Sequence, residues 1–216
     1  MNEKTKIFIH HVILTCIRNK IGLHLMHKKT IISEDDVEAS GTFGNDYEGE
    51  QPTLTVAMKR PQKEWLKVLV HEFSHLLQYT RKTSLQKKIE RSLLSSNGRD
   101  SAVVYFEWIS GKRTNKKLRE KATSITRDFE LEAEMIAVSL IKKWGLPISI
   151  KKYIKEANAY IFWYTATLDT ELWYTEGKSP HSIKAIIDMM PSKFLKPKEY
   201  GTLPEGFLDL CYKHCF

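Results

Sequence analysis

The sequence predicts an α+β fold that is mostly helical, with a small, mainly antiparallel sheet followed by long helices. Three observations carry this. The run Thr53-Leu54-Thr55-Val56-Ala57-Met58 is β-branched and apolar, is bounded by Pro52 and Pro61, and has the composition of a strand. Two stretches, about 61–80 and 122–144, repeat apolar residues every three or four positions, which is the helical period. After Pro147 the pattern is helical again through a C-terminal part, 148–216. A chain of 216 residues, 42% of them hydrophobic, is long enough to bury one core, so the expectation is a single domain over 1–216.

The elements follow in order. Ile7 to Ile17 is apolar, but His10 and His11 interrupt it, Arg18 follows and no small-residue cleavage site is present. It reads as an amphipathic first helix rather than a signal peptide. Val37 to Phe43 forms a weaker strand, and Gly41 to Gly49 is rich in turn residues; with Thr53–Met58 these make up the helix-and-sheet portion, 1–60. Pro61 suits the first turn of a helix, where its missing N–H costs nothing. From there Trp65, Leu66, Val68, Leu69, Val70, Phe73, Leu76 and Leu77 describe a largely buried helix of about five turns.

Residues 81–121 form a basic insertion with twelve Lys or Arg against four Asp or Glu. That excess of eight equals the net charge of the whole chain, so the remainder is neutral. Ser95-Ser96-Asn97-Gly98 and Gly111 mark loops between short helices. A surface this basic either is simply solvated or attracts an acidic protein or nucleic acid. The helix at about 122–144 stops at Gly145 and Pro147. From 148 to 176, Tyr153, Tyr160, Phe162, Trp163, Tyr164, Trp173 and Tyr174 recur at helical spacing, which favours a core role over a binding surface. No run of about 18 apolar residues occurs, so no transmembrane helix is expected. Cys16, Cys211 and Cys215 are an odd count without a disulfide framework, which points to a reducing compartment. Cys211, His214 and Cys215 match no usual zinc spacing and read as ordinary residues of a short terminal helix.

The chemistry lies in His71-Glu72-Phe73-Ser74-His75, an HExxH motif inside the first long helix. Histidines at i and i+4 stack on one helix face, so both imidazoles reach a single zinc ion, and Glu72 is placed to take a proton from an activated water. By chance the pattern arises in roughly one chain in a hundred of this length. A buried helix carrying two His and a Glu needs a reason, since unpartnered polar groups are costly inside a protein. Catalytic zinc usually has three protein ligands. The position six residues past His75 is Arg81, and no histidine recurs before His181, so the third ligand is sought among carboxylates. In the second long helix Glu130, Ala133, Glu134 and Ala137 share a face and the alanines allow close approach, whereas Glu132 points elsewhere. An exposed acidic face paired with nearby Lys and Arg would give the same run.

With these two motifs, over about 53–140, the chain resembles the gluzincin metallopeptidases. Their HExxH helix is followed by a helix reading Glu, two residues, Ala, an acidic or amide residue, then Ala three positions further on. Within that group it looks similar to ImmA/IrrE-like and M48-like patterns, and to uncharacterised HExxH proteins of phages and bacteria. It differs from ImmA/IrrE in having Glu134 where Asn or Asp is usual, and in the longer gap from His75 to Glu130. The resemblance implies a zincin-like active-site helix packed on the sheet, one Zn²⁺ held by His71, His75 and Glu130, and Glu134 orienting a ligand histidine from behind. It implies Glu72 as general base, an edge strand that holds a peptide substrate, and hydrolysis of peptide bonds. His181, at the helix start Ser179-Pro180-His181, is the candidate oxyanion donor, with Tyr153, Tyr160 and Tyr174 in competition. Mn²⁺ or Co²⁺ also suits a His₂Glu site. The expected setting is the cytoplasm, the host's if the gene is a phage's, with no membrane partner. Two other functions fit: a regulator-cleaving protease of ImmA/IrrE type, and a non-enzymatic zinc protein that grips an acidic partner through 81–121.

Overall fold

The computed structural model describes residues 1–32, 38–44, 51–91 and 100–216. The fold is α+β and mostly helical. The chain divides into two compact units, residues 1–81 with 136–150, and residues 82–135 with 151–216.

The first unit opens with α1, Glu3–Arg18, capped by Asn2, whose side chain accepts from Thr5 N–H at 2.9 Å. Thr5, Phe8, Val12 and Cys16 recur at three and four residues and are buried, while Ile7 and Ile17 on the other side are exposed. This is the expected amphipathic first helix. The strands are β1, Gly22–Met26; β2, Ile31–Ile32; β3, Glu38–Ala39; β4, Gly41–Gly44; and β5, Thr53–Ala57. The main sheet has the order β1-β5-β4. β4 runs antiparallel to β5, with Gly41 opposite Val56, and β2 pairs antiparallel with β3. β1 adds a parallel pairing, Gly22 opposite Thr53, that the sequence did not lead us to expect. Gly41 to Gly44, where the weaker strand expected over Val37 to Phe43 overlaps the stretch rich in turn residues, is strand, because its backbone pairs with β5. Val37, residues 45–49 and Ser95 to Gly98 lie outside the described residues.

The helix α2, Gln62–Arg81, begins directly after Pro61 and packs on β4 and β5. On it Leu66, Leu69, Val70, Phe73 and Leu76 are buried, as are Leu54, Val56 and Ala57 of β5, a strand it packs on. Phe8 of α1 stands edge-on to Phe73 at 5.9 Å between ring centres. The last turns of α5, Lys116–Trp144, belong here too. That helix ends as the sequence predicted: Gly145 takes φ +56°, its N–H reaches Lys142 O, and Leu146 N–H reaches Ile141 O. The two bonds satisfy carbonyls that would otherwise be orphaned at the helix end.

In the second unit the basic segment forms α3, Ser84–Arg91, and α4, Ser101–Ile109. A turn at Gly111, φ +93°, then leads toward the start of α5. α5 starts six residues earlier than expected, at Lys116, because Asn115 caps it by accepting from Leu118 N–H at 2.9 Å. α6, Ile150–Thr170, is buried on nearly every side, and Phe162, Trp163, Tyr200, Phe207, Cys211 and Cys215 pack into one core around it. Val104, Tyr105, Trp108, Ala122 and Tyr164 form a second cluster. Most of the aromatic run is therefore core, although Trp173 and Tyr174 lie beyond the end of α6. A short turn at Pro180–Ser182, α7 (Lys184–Met189), a second at Pro197–Gly201 and α8 (Phe207–His214) complete the chain. Asn158 ties this tail to α6: its amide donates to Pro191 O and Lys193 O, and its carbonyl accepts from the Tyr200 hydroxyl. All three cysteines are free and buried. Among the described residues no helix is long and apolar enough to cross a membrane.

Candidate metal centre

Helix α2 sets out the first half of the site. His71 and His75 lie on successive turns with their rings edge-to-face, 4.7 Å between centres, and their Nε2 atoms are 3.2 Å apart. Two nitrogen ligands at tetrahedral zinc, each at about 2.0–2.1 Å, stand roughly 3.3 Å from one another. The imidazoles are thus already spaced as a pair of ligands.

His75 is held in that pose by Gln78, which the sequence reading missed. His75 Nδ1 donates to Gln78 Oε1 at 2.9 Å, and Gln78 is fully buried. A proton on Nδ1 leaves the Nε2 lone pair directed at the site. The available signal was position alone, since Gln78 lies three residues after His75 on the same helix face.

Glu72 is buried, and its Cγ packs beside Gly41 of β4, which also lies against Val68. It projects between sheet and helix rather than into solvent.

Glu130 comes from α5, with Glu134 one turn further on and buried. The charge of Glu130 is felt by a group of tyrosines in the same unit. Burial first, and Glu130 second, push the hydroxyls of Tyr160 and Tyr164 well above their ordinary pKa. Burial likewise raises Tyr174 to about 12, with Glu130 a smaller contributor. These tyrosines therefore stay protonated and remain hydrogen-bond donors. The Tyr160 and Tyr164 hydroxyls are 2.8 Å apart, and the His181 ring stands edge-on to Tyr160 at 5.5 Å and to Tyr174 at 6.2 Å. Three of the four candidate oxyanion donors thus share one place in the fold; Tyr153 is buried two turns earlier on α6.

His71, His75 and Glu130 each present one ligand atom, and the three atoms lie within 4.8 Å of one another. Two imidazole nitrogens and one carboxylate oxygen form a donor set able to hold a divalent metal ion. Among the described residues it is the one group of this kind.

The basic segment is partly neutralised where it folds. Lys112 pairs with Glu107 at 2.7 Å, and Arg119 pairs with Glu171 while its guanidinium lies 5.3 Å from the Trp108 ring centre. Trp108, Lys112, Arg113, Arg119 and Glu171 are among the residues that line a cavity of about 490 Å³.

Comparison with family models, with curated proteins and with solved structures gave no match to this chain.

Proposed function

We propose that the protein is a zinc-dependent peptidase of gluzincin type. The observation that carries this is the convergence of His71, His75 and Glu130, two of them from an HExxH helix and the third from a separate helix. His71, His75 and Glu130 would hold the ion, and zinc there would supply Lewis acidity toward the substrate carbonyl and acidity to water. Glu72 takes the proton of the attacking water as its oxygen bonds to the peptide carbon, then gives it to the departing amine as the C–N bond breaks. Gln78 keeps His75 in the binding tautomer. Tyr160, Tyr174 and His181 are donors for the oxyanion, and Glu134 supports the ligand shell from α5. Peptides or proteins are the substrates, and the free, buried cysteines fit a cytoplasmic setting.

The test is Glu72→Gln on zinc-loaded protein against a panel of peptides and unfolded proteins. The variant is expected to retain one zinc while kcat falls at least about 10²–10⁴-fold. Hydrolysis at the wild-type rate in that variant would refute the assignment. Candidate repressors belong in the same panel, because a regulator-cleaving enzyme would process them and leave generic peptides intact.

A further inference from the structure

We propose that Gly41 is a positioning residue for Glu72: the missing side chain at this one point of β4 gives the Glu72 carboxylate its aim. The inference rests on the peptidase reading for its kinetic consequence, though not for its geometry.

A Cβ built on Gly41 would stand 2.5 Å from Val68 Cγ1, 3.0 Å from Glu72 Cγ and 3.1 Å from Thr55 O. The first distance is far inside van der Waals contact, and the other two are tighter than side chains normally tolerate. The glycine is not there for backbone freedom, since Gly41 is not among the residues with positive φ. Gly111, Gly177 and Gly206 show the contrast: all three have positive φ and open space where a Cβ would go. Gly41 is there for room.

The neighbours of that room explain its effect. Val68 and Glu72 are one turn apart on the face of α2 that packs on β4 and β5, so both look at the same point of the strand. Val68 is β-branched and nearly fixed in χ1 within a helix, so it cannot swing aside. Thr55 O is backbone of the neighbouring strand β5. Of these three neighbours only Glu72 has a rotatable stem, so its share of the overlap would be relieved by rotating the carboxylate away from its pose, while the Val68 overlap would strain the packing of α2 on β4. None of the three nearest atoms belongs to His71 or His75.

A purely structural glycine would behave differently, and a double variant separates the two roles. Val68→Ala removes Cγ1 and with it the worst overlap, but leaves Glu72 Cγ at 3.0 Å. Gly41→Ala is expected to keep one zinc with affinity near wild type and KM within about twofold, while kcat falls about 10–100-fold. Val68→Ala alone should leave kcat near wild type. The pair Gly41→Ala with Val68→Ala should recover most of the thermal stability that Gly41→Ala loses, and little of the kcat. Recovery of kcat in step with Tm would overturn the positioning role and leave only packing. Unchanged kcat in Gly41→Ala, or a loss traced to missing zinc, would overturn it as well. If zinc-loaded wild-type protein hydrolyses nothing in the panel, the peptidase reading falls and the crystal structure of the double variant decides the geometry. A Glu72 rotamer moved from its wild-type position supports the inference, and an unmoved one sinks it.

Discussion

The Nδ1 of His75 donates to the side-chain carbonyl of Gln78 at 2.9 Å, within a single helix and under full burial of the glutamine. The bond selects the tautomer in which the Nε2 lone pair faces His71 and the candidate metal position. Partners of this kind typically contribute 10–100-fold to metal affinity, so Gln78→Leu is expected to weaken zinc binding by about that factor. Competition with a chromogenic chelator measures it. An unchanged dissociation constant would show that His75 is oriented by something else.

Glu130 contributes the one proposed ligand that does not sit on α2. Its loss is expected to be more severe than that of Gln78, at about 100-fold or more in zinc affinity. Glu132, two residues away, bonds instead to the Thr83 hydroxyl at 2.7 Å. Glu132→Ala therefore serves as the control and should keep the ion. Metal content after gel filtration distinguishes the two carboxylates directly.

His11 makes stability depend on pH in a defined direction. Its ring lies against Trp144 at 4.9 Å and Phe73 at 5.8 Å between centres, and burial, then Lys143, Arg18 and Arg81, lower its pKa from 6.5. The unfolded chain thus takes up this proton at higher pH than the folded one. Above about pH 6.5 both states are neutral here and the residue adds no pH dependence. As pH falls through that value the unfolded state gains, until the folded ring also protonates. His11→Leu should flatten the acid limb of a plot of denaturation midpoint against pH, with the curves converging at neutral pH and above. Parallel curves would contradict the assignment.

The Tyr200 hydroxyl donates to Asn158 and accepts from Leu195 N–H at 3.2 Å. Tyr200→Phe leaves a buried carbonyl oxygen and an N–H without this partner, and the expected cost is about 1–3 kcal/mol. Chemical denaturation at constant pH, with the slope unchanged, is the measurement.

Much of this molecule was legible in its residues because the decisive signals are local. Pro61 and the apolar period fixed α2, Gly145 and Pro147 fixed the end of α5, and the β-branched run fixed β5. The spacing of His71 and His75 is itself a helical distance. What escaped depends on partners remote in the chain. β1 exists because Gly22–Met26 pairs with β5 some thirty residues later, and its five residues carry too little alternation to announce it. Gly41 fell in both the weaker strand and the turn-rich stretch, since glycine in a sequence does not distinguish freedom of φ from want of space. The caps Asp100 and Asn115 were readable in principle, but α4 is apolar almost throughout and the first turn of α5 is largely basic, so neither start shows the alternation of faces against which to place it.

The sealed thiols have a practical consequence for every metal measurement on this protein. Cys16, Cys211 and Cys215 are each no more than 2% exposed, and burial raises their pKa, holding all three as protonated thiols in the native state. Sulfur in that form does not scavenge added zinc, cadmium or cobalt. A titration of the folded chain is therefore free of thiolate background, and a cobalt spectrum showing sulfur-to-metal charge transfer would report unfolding rather than a second site. The same seclusion lets a single cysteine introduced at exposed Ile32 take a maleimide label without protecting the native three.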